Sequence, residues 1–180
     1  MLNTLVEQIV YIHAKGLEKD VTTGLVRVKD DKDSQTFNNM QNILPLSVGD
    51  RVMLIRNIDL SDCLVNGVMG TVTGSIENKS KAHKIQSVLV NFDDPKVGAN
   101  KRKLSKLNFK GSTPIEREQV FCCVGKSSSI EKTKSQFPLN LSFACTSHKT
   151  QRIVVDVIVV SFDGAYRPGQ AYVALNFLLK

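Results

Sequence analysis

Tryptophan is absent from the 180-residue sequence, and aromatic residues make up only 6% of it. A sheet that stacks bases on many aromatic rings, as RNA-binding sheets do, is therefore not expected. Long apolar runs are also missing, so no stretch could span a membrane. The N-terminus carries Glu7 and lacks the basic lead of a signal peptide. These absences predict a protein with no membrane partner.

Cysteine and histidine are scarce and poorly placed for a metal site. The three histidines are scattered, and none of the four cysteines forms a C-x-x-C pair. Adjacent Cys122 and Cys123 on a strand would point to opposite faces, which suits neither a shared metal nor a disulfide. We expect reduced thiols in an intracellular protein without structural zinc. The run KRKLSK (101–106) matches nuclear import signals, a pattern common by chance, and we expect a nuclear location.

Positive charge is in excess. The formal charge is +7, and nine Lys or Arg stand against three Asp or Glu between Glu77 and Lys110. A basic surface attracts polyanions, which makes nucleic acid the leading class of partner. On charge alone, a solvated basic loop explains the run equally well.

The first two thirds of the chain predict mainly β-structure. Leu2, Leu5, Val6 and Ile9 recur at helical spacing and predict a short helix, and the polar stretch 29–42 predicts a loop. Short strands with glycine turns follow, which favours a small barrel over a βαβ unit. The predicted strands begin after Gly49-Asp50 and continue at 67–76, 87–94 and 118–124.

The last third has a different character. Residues 125–136 are hydrophilic and predict a connector, and 137–146 predict a strand leading into a helix at 146–151. The apolar run 153–162 is typical of a strand buried on both faces of a parallel sheet. A turn at 164–169 precedes a predicted final helix. Gly125-Lys126-Ser127 looks like the end of a phosphate loop, but Val120 stands where that pattern needs glycine, so the match is accidental.

Two late segments, FPLNLSFACTSHKTQ and GQAYVALN, resemble motifs of Pif-type and related RecD-like helicases in order and spacing. GDRVMLIRNIDLSDCLVNGVMGTV (49–72) resembles the SH3-like barrel that this family inserts into its second RecA-like domain. PIERE (114–118) resembles the stretch before the last strand of that barrel. The resemblance covers about three quarters of the chain.

The resemblance implies an α/β plus all-β fold: part of a RecA-like (P-loop NTPase) second helicase domain with an inserted SH3-like small β-barrel. The expected organisation is an N-terminal helix and loop of the RecA-like domain at 1–43 and the barrel at 44–125. A linker at 126–136 and the C-terminal part of the RecA-like domain at 137–180 complete it.

The resemblance also assigns roles to residues in the tail. Thr146, His148, Lys149 and Thr150 would contact single-stranded DNA, with hydroxyls and charge suited to phosphates. Gln151, Gly169, Gln170 and Tyr172 would lie at the nucleotide cleft. A capped helix with polar residues facing water is the alternative.

Besides Asn176, which stands where the family has serine, two positions depart from the family pattern with consequences for the site. Phe177 stands where the family has the arginine that reaches the γ-phosphate, so no catalytic residue is expected in this chain. Arg152 replaces the glycine after Gln151, a position where glycine allows conformations that arginine resists.

The intact family unwinds DNA in the 5′-to-3′ direction with ATP and Mg²⁺, in repair, recombination and telomere-type maintenance. These 180 residues contain neither a phosphate loop nor the Mg²⁺-binding acidic motif of the family's first RecA-like domain. We therefore expect that the chain alone binds no nucleotide tightly and hydrolyses no ATP. Its expected partners are single-stranded DNA and a separate N-terminal RecA-like domain. A truncated gene product, a degenerate copy and an incomplete gene model are all compatible with this pattern.

Two other functions fit the sequence. The barrel and the basic stretch 96–110 could form a non-catalytic module that binds single-stranded nucleic acid. An interaction protein built on the barrel is the third possibility.

Overall fold

The computed structural model describes residues 9–20, 23–29, 40–77, 85–104, 111–122 and 130–143. The chain divides into two compact units, Met1–Ser142 and Phe143–Lys180, and the elements below belong to the first. Within these ranges the elements are β1 (Val10–His13), β2 (Lys15–Asp20), β3 (Val26–Lys29), β4 (Ile43–Leu46), β5 (Arg51–Leu54), β6 (Met69–Glu77), β7 (Ile85–Phe92), α1 (Ala99–Leu104), β8 (Thr113–Glu116), β9 (Glu118–Cys122), β10 (Ile130–Gln136) and β11 (Leu139–Leu141). None of the helical segments in these ranges is long and apolar enough to cross a membrane.

All strand pairs are antiparallel and form three sheets. The largest has five strands in the order β11-β5-β6-β7-β8, the second has four in the order β3-β2-β10-β9, and β1 pairs with β4. Neighbouring strands of the five-stranded sheet are mostly consecutive in sequence, whereas β10 lies between β2 and β9. The described part of the chain is therefore predominantly β-structure.

One hydrophobic core lies between the five-stranded sheet and the β1–β4 pair. Apolar residues alternate with polar or half-exposed ones along β4 and β6, as expected for strands with one buried face. The buried members of this core are Ile12, Leu44, Leu46, Val52, Leu54, Leu64, Val72, Val88, Val90, Phe92, Val97, Ile115, Phe137 and Leu139. A separate small cluster joins Met40, Ile55 and Val120.

Strand β6 is bent where glycines occur. Its register with β7 shifts between Val72 and Gly74, which marks a bulge, and Gly70 lies so close to β7 that a Cβ atom would be 2.6 Å from the carbonyl oxygen of Asn91. Only glycine fits that approach without a shift of the backbone. The sequence expectation of a tightly bending strand with glycines is confirmed here.

The chain passes from one sheet to another three times through very short connections. Ala14 joins β1 to β2, Arg117 joins β8 to β9, and Phe137-Pro138 joins β10 to β11. Such transitions without loops resemble the strand bends that form corners between packed sheets. Polar groups must therefore be satisfied in the interior at these corners.

The side-chain amide of Gln136 makes hydrogen bonds with four backbone groups at these corners. Its side chain is 1% exposed, and Nε2 donates to the carbonyl oxygens of Ile12 at 3.0 Å, Gln41 at 3.2 Å and Asn42 at 3.4 Å. Its Oε1 accepts a hydrogen bond from the backbone N–H of Phe137 at 3.1 Å. One amide thus joins β1, the approach to β4, and the corner between β10 and β11.

Arg117 contributes to the same junction. Its Nη1 donates to the carbonyl oxygens of His13 and Ser135 and to Oε1 of Gln136, at 3.1 to 3.3 Å. Its guanidinium carbon lies 4.7 Å from the centroid of the Phe137 ring, a cation–π contact. Desolvation by burial lowers the pKa of Arg117. We refer to Ala14, Arg117, Gln136 and Phe137 as the corner cluster.

The strands predicted at 67–76 and 87–94, and the one after Gly49-Asp50, are confirmed. The predicted linker at 126–136 is wrong over Ile130–Gln136, which is the strand β10 between β2 and β9. The polar sequence IEKTKSQ is typical of a solvated connector. It forms a strand here because a strand can bury polar side chains when they have hydrogen-bond partners. A strand at 118–124 is confirmed over Glu118–Cys122, but it pairs with β10 and not with the five-stranded sheet.

The N-terminal expectation also needs correction. Residues 1–43 were expected to form a helix and a loop, but Val10–Lys29 contains β1, β2 and β3. Residues 1–8 and 30–39, on which the helix and most of the loop were predicted, lie outside the described residues. Residues 137–142 were assigned with the tail, yet β11 pairs with β5 in the five-stranded sheet.

The corner cluster predicts a large loss of stability in Gln136→Leu. The substitution keeps the volume but leaves the buried N–H of Phe137 without its acceptor and takes a donor from three carbonyl oxygens, so the free energy of unfolding should fall by about 2–4 kcal/mol. Urea unfolding followed by far-UV circular dichroism measures it. The control is Gln119→Leu on the neighbouring strand β9, where the side chain is exposed and the change should stay within about 0.5 kcal/mol. Equal stability of the two variants would contradict the role of Gln136.

Candidate nucleic-acid interface

The described part of the basic stretch is a short helix and the turn before it. α1 has the sequence ANKRKL, and its last turn contains Lys101, Arg102 and Lys103. Lys96 and Lys103 are exposed, and Lys101 is half-buried. A six-residue helix has little stability of its own, so contacts from the rest of the fold must hold it.

Asp62 supplies one of these contacts. Its carboxylate accepts hydrogen bonds from the backbone N–H groups of Asn100, at 2.8 Å, and Lys101, at 2.9 Å. Its backbone carbonyl oxygen also accepts from the N–H of Gly98 at 2.8 Å. Asp62 is 3% exposed and distant in sequence, so it caps the start of α1 in the way that a local N-cap residue usually does.

Arg102 anchors the other side of α1 and is not available to a ligand. Its Nη1 donates to the carbonyl oxygen of Val97 at 2.6 Å and to Oγ1 of Thr113 at 2.9 Å, and Nη2 donates to the carbonyl oxygen of Pro95. Gly98 has a φ of +71°, and a Cβ atom there would be 2.5 Å from Oγ1 of Thr113. The approach to α1 therefore needs glycine for both its conformation and its space.

A compact turn lies beside the helix. Asp59 accepts hydrogen bonds from the backbone N–H and the Oγ of Ser61, at 2.9 and 2.6 Å. The bond from Ser61 Oγ is the main cause that lowers the pKa of Asp59, and the positive charge of Lys101 lowers it further. Cys63 in the same turn has a φ of +56°, which is unusual for a residue other than glycine.

The charges near α1 partly offset one another. Asp59 lies near Lys101, and Asp94 accepts a hydrogen bond from the backbone N–H of Lys96 at 2.8 Å. Asp93 instead forms a bidentate ion pair with Arg51, with both N–O distances at 2.7 Å. That bond is the main cause that raises the pKa of Arg51. What remains is a small set of lysines on a fixed backbone, an arrangement that can bind phosphates but has no group placed for catalysis.

The residues predicted to form the helicase site lie outside the described residues. This applies to every predicted DNA-contacting and nucleotide-cleft position, and to the two departures from the family pattern. They are Thr146, His148, Lys149, Thr150, Gln151, Arg152, Gly169, Gln170, Tyr172 and Phe177. The accidental phosphate-loop match at 125–127 is outside them too. Their assignments remain predictions.

The start of the first late motif is described, and it is structural. Phe137 and Leu139 are buried in the main core, and the carbonyl oxygen of Pro138 accepts a hydrogen bond from the N–H of Ile55 at 2.9 Å. These three residues therefore fix the end of β5 against β11. The buried start of this motif therefore holds the fold together.

Sequence reasoning missed the residues that build this surface. Asp62 lies in a polar turn, and nothing in its spacing connects it with a helix 37 residues later. The helix itself could have been found, because ANKRKL contains good helix formers. Within the basic stretch 96–110, residues 99–104 form α1, residues 105–110 lie outside the described residues, and phosphate binding by the stretch remains a prediction. Among the residues that the structure describes, no group of His, Cys, Asp and Glu could hold a metal ion.

Comparison with known proteins identifies the relatives of this chain. Residues 33–74 match the family model described as DNA helicase Pif1, 2B domain. The ATP-dependent DNA helicase PIF7 of Trypanosoma brucei brucei is 30% identical over 150 residues, which cover 77% of this chain and 15% of the relative. Human ATP-dependent DNA helicase PIF1 is 30% identical over 138 residues, covering 76% of this chain and 18% of the relative.

Solved structures give the same result. The Pif1 helicase from Candida albicans is similar with a TM-score of 0.62 and 25% identity, covering 98% of this chain and 38% of that one. A Bacteroides Pif1 helicase in complex with ADP-AlF3 and single-stranded DNA is similar with a TM-score of 0.51 and 27% identity, covering 91% and 32%. The chain thus spans less than a quarter of each of these two curated relatives and less than two fifths of these solved chains.

The cap on α1 predicts that Asp62→Ala destabilises the chain. The backbone N–H groups of Asn100 and Lys101 lose their acceptor at a buried position, so the free energy of unfolding should fall by about 1–3 kcal/mol. Chemical denaturation measures the change. The matched control is Asp94→Ala, since the exposed Asp94 accepts only the N–H of Lys96 in its turn and should cost at most about 1 kcal/mol. A loss in Asp94→Ala as large as that in Asp62→Ala would contradict the capping role.

Proposed function

Because the chain belongs to the Pif-type helicase family, we propose that it forms part of the second motor domain of an ATP-dependent 5′-to-3′ DNA helicase. The observation that carries the proposal is the joint occurrence of two late helicase motifs and a match to the Pif1 2B domain in one short chain. The relatives are named as ATP-dependent DNA helicases, which supports DNA and ATP as the ligands of the whole enzyme. A nuclear role in DNA repair and recombination follows from the same proposal.

The five-stranded sheet is proposed to be the SH3-like barrel of the 2B domain. Antiparallel order, a bulge in β6 and one core shared with the β1–β4 pair support this. The family-model match ends at residue 74, within β6, and so includes β4 and β5. The inserted barrel would then be continuous with β11, where the first late motif begins.

The tail residues keep their proposed roles. Thr146, His148, Lys149 and Thr150 would hold single-stranded DNA, and Gln151, Gly169, Gln170 and Tyr172 would lie at the nucleotide cleft. ATP and Mg²⁺ would be held chiefly by a phosphate loop and an acidic motif, and these 180 residues contain neither. A separate N-terminal RecA-like domain is therefore the proposed partner, and the chain alone should not turn over ATP.

We expect that Phe177 limits turnover even when a phosphate loop is present. The test uses human PIF1 in which this chain replaces the matching segment, with DNA-stimulated ATP hydrolysis as the measurement. The chimera should turn over about 10³-fold more slowly than human PIF1, because no arginine reaches the γ-phosphate. Phe177→Arg in the chimera should recover at least tenfold.

The control for added charge is Leu104→Arg in the same chimera, because Leu104 is 83% exposed and lies on α1. It should recover nothing. Turnover that is the same with and without Phe177→Arg would remove the proposed role of that position. ATP hydrolysis by the purified 180-residue chain, if abolished by Lys149→Ala, would overturn the proposal that it needs a second domain.

A non-catalytic module that binds single-stranded nucleic acid is the second candidate. The fixed position of α1, which carries Lys101 and Lys103, and of the preceding turn, which carries Lys96, favours it. Lysines on a rigid backbone lose little entropy on contact with phosphates, and counterion release makes such binding dependent on salt. This candidate needs neither ATP nor a second domain.

The lysines of α1 predict a measurable change in salt dependence. In the double variant Lys101→Gln and Lys103→Gln, the slope of log affinity for single-stranded DNA against log salt should shrink by about 1.4, since each phosphate contact on single strands contributes about 0.7. Fluorescence anisotropy at several salt concentrations measures it. Lys101→Arg with Lys103→Arg keeps both charges and should keep the slope. An unchanged slope in the glutamine variant would exclude α1 as the contact.

A further inference from the structure

The four-stranded sheet has one buried and one exposed face. Val120 and Lys134 are 5% exposed and Gln136 is 1% exposed, and these residues lie at alternating positions that share the buried face. On the opposite face Phe121 is 72% exposed and Val26 is 56% exposed. The ring of Phe121 is therefore open on this face and is available to stack with a partner.

The described side chains nearest to Phe121 on this face are polar. Phe121 pairs with Thr133, and Gln119 pairs with Ser135, so these four side chains share a face and lie in two adjacent rows. On the next strand, Lys15 pairs with Ser135 and Lys19 pairs with Glu131. We name Lys15, Lys19, Gln119, Phe121, Thr133 and Ser135 the outer-sheet surface.

The dimensions of this surface match a short stretch of unpaired nucleic acid. β9 and β2 flank β10, so Phe121 lies about 10 Å across the sheet from the strand that carries both lysines. Lys15 and Lys19 are about 13 Å apart along β2. A base stacked on the ring would place its own phosphate and the next within reach of flexible lysine side chains.

Resting on the proposed function, we propose that the outer-sheet surface binds single-stranded nucleic acid, with the ring of Phe121 as the stacking platform for one base. The hydroxyls of Thr133 and Ser135 and the amide of Gln119 supply hydrogen bonds to the nucleotide, and Lys15 and Lys19 contact phosphates. Because the chain has a net charge of +7, it attracts a polyanion more strongly than it attracts a protein with few acidic residues. A duplex hides its base faces, so stacking on Phe121 requires unpaired bases.

The test exploits the absence of tryptophan from the chain. Phe121→Trp introduces a single tryptophan at the proposed platform, and the emission of this tryptophan should be quenched when a pyrimidine DNA is added. The DNA has about twelve nucleotides, which is on the order of one small binding site. Tyr11→Trp is the matched control, since Tyr11 is 62% exposed on β1, which pairs with β4 in a different sheet. Its emission should not change.

Affinity measurements separate stacking from charge. Phe121→Ala should weaken binding of the pyrimidine oligonucleotide by roughly 5- to 100-fold and leave the salt slope unchanged. The same variant should bind an abasic oligonucleotide of equal length as the unaltered chain does, because no base is present to stack. Phe121→Leu keeps the apolar area without a ring and should resemble Phe121→Ala. A ribonucleotide of the same sequence, tested in parallel, distinguishes DNA from RNA as the strand that is preferred.

Three outcomes would overturn the proposal. The first is an affinity for the pyrimidine oligonucleotide that is the same in Phe121→Ala and the unaltered chain, while the α1 variant still changes the salt slope. This result would contradict binding at the outer-sheet surface and would not contradict the proposed function. The second is an equal loss of affinity for the abasic strand. The third is a change in Phe121→Trp emission with protein concentration alone, which would assign the surface to contact between copies of the chain. Thermal unfolding of each variant confirms that the exposed position leaves the fold intact.

Discussion

The fold depends on one buried amide. Gln136 occupies the corner where three strands pass between sheets, and its two polar atoms bond groups from β1, the approach to β4 and the β10–β11 corner. Without it, the buried N–H of Phe137 would lose its acceptor, at a cost of about 1–3 kcal/mol, and the carbonyl oxygens would lose a donor. Arg117 completes the junction through His13, Ser135 and the Phe137 ring. The hydrophobic cores on either side are thereby joined by polar contacts.

Periodicity was a good guide where strands are amphipathic and a poor one where polar residues are buried. β6 follows alternation, and β5 and β7 are short apolar runs next to turn residues, so all three could be predicted. β10 could not, because its pattern is that of a solvated connector unless the partners of Lys134 and Gln136 are known. The cap of α1 by Asp62 joins segments 37 or more residues apart, and no local signal encodes such a contact. Family resemblance, in contrast, was readable from motif order alone.

The motif that carries the resemblance has two parts with different physical roles. Phe137, Pro138 and Leu139 are buried and fix β11 against β5, whereas the polar residues that follow are those expected to contact DNA. A sequence match cannot separate scaffold from ligand contacts, but burial can. The proposed DNA contacts of the first unit lie on α1 and on the outer-sheet surface. Asp62 and Arg102 hold the backbone of α1, and the corner cluster holds the backbone of the outer-sheet surface. Rigid supports of this kind reduce the entropy lost on binding.

The corner cluster also constrains how the chain can reach its native state. Arg117 bonds His13 across 104 positions, and Gln136 bonds Ile12 across 124. Contacts of such long range slow folding, because a large loop must close before they contribute. During synthesis, β1 leaves the ribosome long before its partners exist. Its core residue Ile12 therefore lacks the packing of Phe137 and Leu139 until nearly the whole first unit has emerged.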